Sequence, residues 1–353
     1  MKQLVVYLRV DDRSYPRNER IRRAFVDRGF TVRVLDRSRG PKLLAFAKDL
    51  VSAWKASRGA AAVVVPEFSL PFVPLAWIVS RMRRCVLIVD GFVGTYETEI
   101  EDWGRASPRS LRALRCRMVD ALAVRLADVY LIDTDARAAR VRARARGRAV
   151  VASLPVGAPD WIRPQRPLSG GPLRVLYSGG ALPLHGVPFL LRGLAATEET
   201  ATTLTLVFAA PDARRQETQA LAASLGIAER CLFVPAVPHH QLIRIVHGHD
   251  VVLGVFGDSP KARTVIANKV WQGLAAGRTV VTRSGPALEE LEGPARELLV
   301  AVDDEDALGA ALDRLARAEA LPHDPSIADR LDAYVDRRYR EFFHILEREY
   351  GMR

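Results

Sequence analysis

The chain has 353 residues, 49% of them hydrophobic and 26% charged. That is the balance of a soluble globular protein, and the length suits two cores better than one. Its 52 Lys and Arg exceed 41 Asp and Glu for a formal net charge of +11. Such a surface suits an anionic ligand or an anionic lipid surface, or else reflects only an Arg-rich coding bias. Nucleic acid is not expected, because no RNA-binding signature or basic–aromatic interleaving accompanies the charge.

In chain order, Leu4 to Val10 reads as a first strand, too short an apolar run for a signal peptide. A helix over 17–28 closed by Gly29 follows, with Ile21, Ala24 and Phe25 at helical spacing. Strand 30–35, helix 41–58, strand 61–65, helix 75–82 and strand 86–89 continue the alternation. The apolar stretch 60–79 is broken by Pro66, Glu67, Pro71 and Pro74 and is not a membrane span. A long basic amphipathic helix is expected over 109–126, then strand 129–132, helix 136–146 and strand 149–154. The run 161–172, WIRPQRPLSGGP, reads as an interdomain linker. Cys85, Cys116 and Cys231 lie far apart with no CxxC pair, which fits a reducing cytoplasm and no zinc ribbon or disulfide framework.

A second alternation begins at Leu173: strands 173–178, 203–208 and 231–234, with helices near 186–195, 212–225 and 239–246. Then comes the most informative stretch, DVVLGVFGDSPKARTVIANKVWQGLAAGRTVVT (250–282). It reads as strand Val251–Phe256, a loop over 257–264 carrying Lys261 and Arg263, a helix over 267–276 capped by Gly277, and strand 279–282. The loop lies at the carboxyl end of a parallel strand, where open sheets bind ligands. Two cations and a helix N-terminus at one place suit phosphate. Helices near 304–318 and 327–350 close the chain, the last with Tyr334, Tyr339, Phe342, Phe343, Ile345 and Leu346 on its apolar face.

LGVFG (253–257), Lys261-Ala262, Asn268-Lys269-Val270, Gln272 and LAAG (274–277) together resemble the donor-nucleotide element of family-4 glycosyltransferases. The resemblance implies the GT-B fold: two Rossmann-like, doubly wound parallel-sheet α/β domains facing a cleft, with a C-terminal helix crossing back. Residues 1–163 plus 334–353 would form the acceptor domain and 164–333 the donor domain. It implies a retaining, metal-independent transfer of sugar from a nucleoside-diphosphate sugar, with no cofactor beyond that co-substrate. The acceptor (a small molecule, a lipid-linked group or a saccharide), the nucleobase and the oligomeric state stay open. A cytoplasmic protein is expected, with contact to the inner membrane face left open. A catalytically silent partner subunit and a sugar-nucleotide epimerase are the alternatives.

On this resemblance, Gly179, Gly180, His185 and Gly186 in YSGGALPLHG (177–186) form the turn at the diphosphate. Gly180 and His185 stand where the common pattern has Arg and Lys, so Lys261 and Arg263 are expected to supply the charge as catalytic cations. Asn268 and Lys269 offer amides at the helix start, and Val237 lies where the strand-turn meets the nucleobase. Thr264 and Gln272 replace the family's two glutamates; Thr264 is expected to hydrogen-bond a sugar hydroxyl, and Gln272 suits ribose hydroxyls or is simply a surface residue. In the N-terminal half, Asp90 at a strand end is a candidate catalytic carboxylate or a cap. Phe92, Tyr96 and Glu97 would lie on the acceptor side. Arg17, badly placed for its own helix dipole, is expected to face an anion. All seven His lie after residue 184. His239, His240, His247 and His249 match no zinc spacing and are expected to be exposed, so no metal is expected.

Overall fold

The computed structural model describes residues 2–144, 149–168, 170–209 and 211–353, apart from the side chains of His239 and His240. The chain divides into two compact units, Met1–Val156 with Val335–Arg353, and Gly157–Tyr334. The segment read as a linker differs from expectation. Gln165 N–H donates to the Ala276 carbonyl at 3.2 Å, and Arg278 Nη1 donates to the Gln165 carbonyl at 2.8 Å. Its backbone is therefore tied to the second unit; Ser169 lies outside the described residues.

Unit 1 alternates β1 (Leu4–Val10), α1 (Pro16–Asp27), β2 (Thr31–Asp36), α2 (Lys42–Ala56), β3 (Ala60–Val65), α3 (Val73–Arg83) and β4 (Val86–Asp90). It continues with α4 (Leu111–Leu126), β5 (Val129–Ile132), α5 (Asp135–Arg144) and β6 (Val150–Ser153). The strands pair in the order β2-β1-β3-β4-β5-β6, all parallel. Strands such as AAAVVV and VLIVD are buried on both faces because helices cover both sides of the sheet. The expected end of α5 at Arg146 lies outside the described residues. Helix α4 is not the amphipathic helix expected: Leu111, Leu114, Met118 and Leu122 are exposed while Ala113 and Ala123 are buried, so apolar residues lie on both sides. Between β4 and α4 the chain makes a π-helical turn, Glu97–Asp102.

Arg17 holds the carboxyl ends of three strands together. Its Nε donates to Asp90 Oδ1 and Oδ2 at 3.0 and 2.8 Å, Nη1 to the Leu154 carbonyl at 2.5 Å, and Nη2 to the Ile132 carbonyl at 3.0 Å. The side chains of Arg17 and Asp90 are 0% and 2% exposed. Arg17 does face an anion, but that anion is the chain's own Asp90. Neither Arg17 as an acceptor contact nor Asp90 as an open carboxylate has the placement expected. A guanidinium suits this job because its planar fork serves several acceptors at once.

Unit 2 alternates β7 (Arg174–Gly179), α6 (Val187–Ala195), β8 (Thr203–Phe208), α7 (Asp212–Ser224), β9 (Cys231–Pro235) and α8 (His239–His247). Then come β10 (Val251–Leu253), α9 (Asn268–Ala275), β11 (Thr279–Arg283), α10 (Glu289–Ala295), β12 (Leu299–Val302) and α11 (Glu305–Ala316). The parallel order is β12-β11-β10-β7-β8-β9. It reverses between β7 and β10, the switch point where ligands enter such sheets. The strand expected over Val251–Phe256 ends at Leu253, and the sequence did not point to β12 at all. Helix α9 lies close on the sheet because Gly273 has no side chain: a Cβ there would sit 2.8 Å from Val280 and 2.9 Å from Val252.

The last helix, α12 (Ile327–Tyr350), passes from unit 2 into unit 1. Its Phe343 ring lies 5.2 Å from Phe25 and 6.2 Å from Phe30, and Phe342 lies 6.0 Å from Phe25. The apolar face read from the sequence is thus the face that packs.

The clamp at Arg17 makes a stability prediction. Arg17→Met should cost about 3–5 kcal/mol, because it strands a buried carboxylate. The double variant Arg17→Met/Asp90→Leu should lose less than the single one in urea unfolding. A double variant that loses the sum of the two single effects would show that the pair is not coupled.

Candidate functional site

The turn after β7 and the loop after β10 meet at the switch point of unit 2. Phe256 N–H donates to the His185 carbonyl and Gly257 N–H to the Leu184 carbonyl, both at 3.1 Å. Two glycines permit this. Gly186 adopts φ 62°, and a Cβ there would lie 2.4 Å from the Phe256 carbonyl carbon; a Cβ on Gly257 would lie 2.6 Å from the Pro183 oxygen. The Phe256 ring stacks on Phe189 at 5.3 Å, fixing the loop to α6. The two motifs, GGALPLHG and LGVFG, therefore form one backbone-to-backbone structure.

Lys269 reaches into this place from the first turn of α9. Its Nζ lies 3.9 Å from the centroid of the Tyr177 ring, and it is buried with no hydrogen-bond partner. Burial pushes its pKa well below the ordinary lysine value. Gly179, at φ 145°, stands directly opposite: a Cβ there would lie 2.9 Å from Lys269 Nζ and 3.2 Å from His185 Cε1. A side chain at this position would crowd the ammonium, and the glycine avoids that.

His185 belongs to the same cluster. Its Nδ1 lies 2.7 Å from the Gly180 carbonyl and 2.9 Å from the Tyr177 hydroxyl, which itself donates to that carbonyl at 2.6 Å. A carbonyl only accepts, so Nδ1 carries the proton and Nε2 is an acceptor until the ring becomes charged. Burial, and then the charge of Lys269, push the His185 pKa down to about 3. Burial thus weakens the hold of both nitrogens on a proton, and the lysine charge adds to this at His185; an incoming anion would act in the opposite direction on both.

The remaining residues expected at the donor sit as follows. Lys261 is buried and Arg263 exposed on the loop after β10. The Thr264 hydroxyl donates to the Pro260 carbonyl at 2.8 Å and closes its own turn, a use not foreseen. Gln272 is 7% exposed, so it is not a surface residue. Asn268 opens α9 and is half-buried, as is Val237 after β9. Gly180 lies against the Ala209 carbonyl, which a Cβ would approach to 2.8 Å. The flanking histidines are not exposed as expected. His247 Nε2 and His249 Nδ1 donate to the Arg163 and Ile245 carbonyls at 3.0 and 2.6 Å. His239 and His240 lie outside the described side chains. Among the described residues no group of His, Cys, Asp or Glu is arranged to hold a metal ion.

In unit 1, Phe92 receives the guanidinium of Arg17 at 5.0 Å. The Tyr96 hydroxyl accepts from Arg117 at 2.7 Å, and Glu97 pairs with Arg137. Glu67, which the sequence did not single out as functional, sits just past the end of β3, next to the β1/β3 switch point. Asn18 Nδ2 donates to its Oε1 at 3.2 Å, while Oε2 is buried without a partner. Burial and the charge of Asp90 raise its pKa to about 7. Its position directly after an apolar strand was the available signal, masked by the two prolines around it.

Residues 172–318 match the family model of glycosyl transferases group 1. No curated protein matches the chain in sequence. Among solved structures, sucrose-phosphate synthase from Thermosynechococcus elongatus is similar with a TM-score of 0.71 at 16% identity, covering 100% of both chains. Anabaena Alr3699/HepE in complex with UDP gives 0.65 at 15% identity, over 98% of this chain and 100% of that one. The apo lipopolysaccharide outer core galactosyltransferase WaaB gives 0.65 at 15% identity, over 98% of each chain. The two six-stranded parallel sheets are those of GT-B glycosyltransferase structures.

The depressed His185 pKa has a definite sign in stability. The unfolded chain takes up a proton near pH 6.5, whereas the native ring does so only near pH 3. This group therefore removes stability as pH falls through that window. His185→Asn should unfold with a shallower loss between pH 6 and 4 than the wild type, read by thermal unfolding at each pH; identical slopes would show that the ring is not held neutral.

Proposed function

We propose that this chain is a glycosyltransferase that moves a sugar from a nucleoside-diphosphate sugar to an acceptor. The carrying observation is the buried, unpartnered ammonium of Lys269 at the switch point of unit 2, beside a glycine whose missing side chain leaves it room. A buried cation without a counter-ion is costly, and a diphosphate brought there would supply the missing charge. The group 1 match over the same unit and the UDP and UDP-glucose complexes of Alr3699/HepE support a nucleotide-sugar donor.

The chemistry follows from the charge. As the bond from the anomeric carbon to the diphosphate breaks, negative charge grows on the departing phosphate oxygen. Lys269, the amides opening α9 and a protonated His185 would stabilise it there, more strongly than the ground state. Lys261 and Arg263 stay in the proposal as cations of the adjoining loop. No side chain is needed as a covalent nucleophile. We infer a retaining, metal-independent reaction of the family-4 type, in which the acceptor hydroxyl attacks from the face that the diphosphate leaves.

A peripheral contact with an anionic membrane surface is also part of this reading. Leu111, Leu114, Met118 and Leu122 are exposed on α4 among Arg109, Arg112 and Arg115. No helix of the described residues is long and apolar enough to cross a membrane. Sedimentation with phosphatidylglycerol vesicles should deplete the wild type, and Leu114→Glu/Met118→Glu should stay in the supernatant. Equal sedimentation of both would remove the contact.

For the donor site, Lys269→Met should weaken UDP or GDP binding at least about tenfold, the loss of one charge-assisted contact. It should leave uridine or guanosine binding unchanged. The free protein should be no less stable, since a buried unpartnered charge is removed. A variant that loses stability but keeps diphosphate affinity would sink the proposal.

A further inference from the structure

Unit 1 contains a half-open cavity of about 550 Å³ lined by α4, α5, β5 and the turn that follows β4. The size is that of a small-molecule site. Gly91, Gly94 and Ile132 in its lining bring it to the carboxyl ends of β4 and β5, the edge from which parallel sheets present ligand-binding loops.

Its walls divide by chemistry. Val124, Val141 and Ile132 are apolar, whereas Arg117, Arg125 and Arg144 bring cations. The carboxylates lining the cavity are already engaged. Glu97 pairs with Arg137, and Glu101 lies 3.4 Å from Arg140. Asp120 accepts the Thr95 and Tyr96 amides at 2.9 and 2.8 Å and the Thr95 hydroxyl at 2.8 Å. Arg117 donates to the Tyr96 hydroxyl at 2.7 Å and lies over its ring at 4.6 Å, so its charge is not neutralised. The guanidiniums of Arg125 and Arg144 pair with no carboxylate among the described residues. Cationic charge is thus left over around an apolar space.

We propose that this cavity binds a small amphipathic anion, with a phosphate or carboxylate head held by Arg117, Arg125 and Arg144 and an apolar body between α4 and α5. Guanidinium forks bind both kinds of oxyanion in two-point fashion, and the apolar walls gain from covering a chain of a few carbons. The proposal concerns unit 1 alone and does not depend on the nucleotide-sugar reading.

The test uses calorimetry on the full chain with octyl phosphate, octanoate, octyl glucoside and inorganic phosphate, each below its micelle concentration. Octyl phosphate, octanoate or both should bind at least about tenfold more tightly than octyl glucoside or inorganic phosphate, the worth of one charge-assisted contact. Preference between the first two identifies the head group. Val124→Trp, which fills the space, and Arg125→Glu, which reverses the rim charge, should each weaken the preferred anion by a similar factor. An unchanged circular dichroism spectrum and melting temperature in either variant would show that the fold survives. No binding by either alkyl anion, equal binding of octyl glucoside, or affinity unmoved in a folded Val124→Trp or Arg125→Glu variant would overturn it.

Discussion

A lysine ammonium sealed against a tyrosine ring with no acceptor in reach is the constraint around which unit 2 is arranged. Removing such a charge from water is among the costliest events in a fold, and two other buried cations, Arg17 and Arg278, avoid it with several acceptors each. Arg17 has Asp90 and two strand-end carbonyls; Arg278, fully buried, donates to the carbonyls of Val246, His247 and Gln165. Lys269 has only the face of Tyr177. The contrast separates cations that hold the backbone together from one that awaits a ligand.

The surroundings of Lys269 make sense as the means of keeping that arrangement fixed. Gly186 and Gly257 let two loops touch through their backbones, and Gly273 lets α9 lie on the sheet. A Cβ at any of these would come within 3.0 Å of a neighbouring atom, so the packing around it would have to shift. Gly179 acts differently: a Cβ there would crowd the ammonium itself, at 2.9 Å from Nζ. His185 is tied through Nδ1 to Gly180 and Tyr177, which holds its ring in one orientation. Pre-organisation of this kind is what makes fixed charge effective in catalysis.

Much of the fold was legible because parallel strands buried on both faces are nearly continuous apolar runs, as in 61–65 and 86–89. β12 escaped because Leu299–Val302 is short and half-exposed at a sheet edge, with too little periodicity to stand out. The association of GGALPLHG with LGVFG was legible through resemblance alone, since the backbone contacts that join them span some 70 residues. Arg17 was flagged correctly as needing an anion, yet no local pattern names a partner 73 positions away. Helix α4 misled because its basic residues suggested one wet face, while its small buried alanines carry the packing. Lys269 was noticed for its amide; the isolation of its side chain is a tertiary fact that no window of sequence contains.

The most direct test of the account is proton linkage. Titrating UDP into the protein at pH 8.5, in buffers of different ionisation enthalpy, measures the protons taken up on binding. A diphosphate docking beside Lys269 must raise its depressed pKa, so net proton uptake is predicted, and it should vanish in Lys269→Met. Binding without proton exchange, or with the same exchange when Lys269 is gone, would contradict the claim that this ammonium receives the diphosphate.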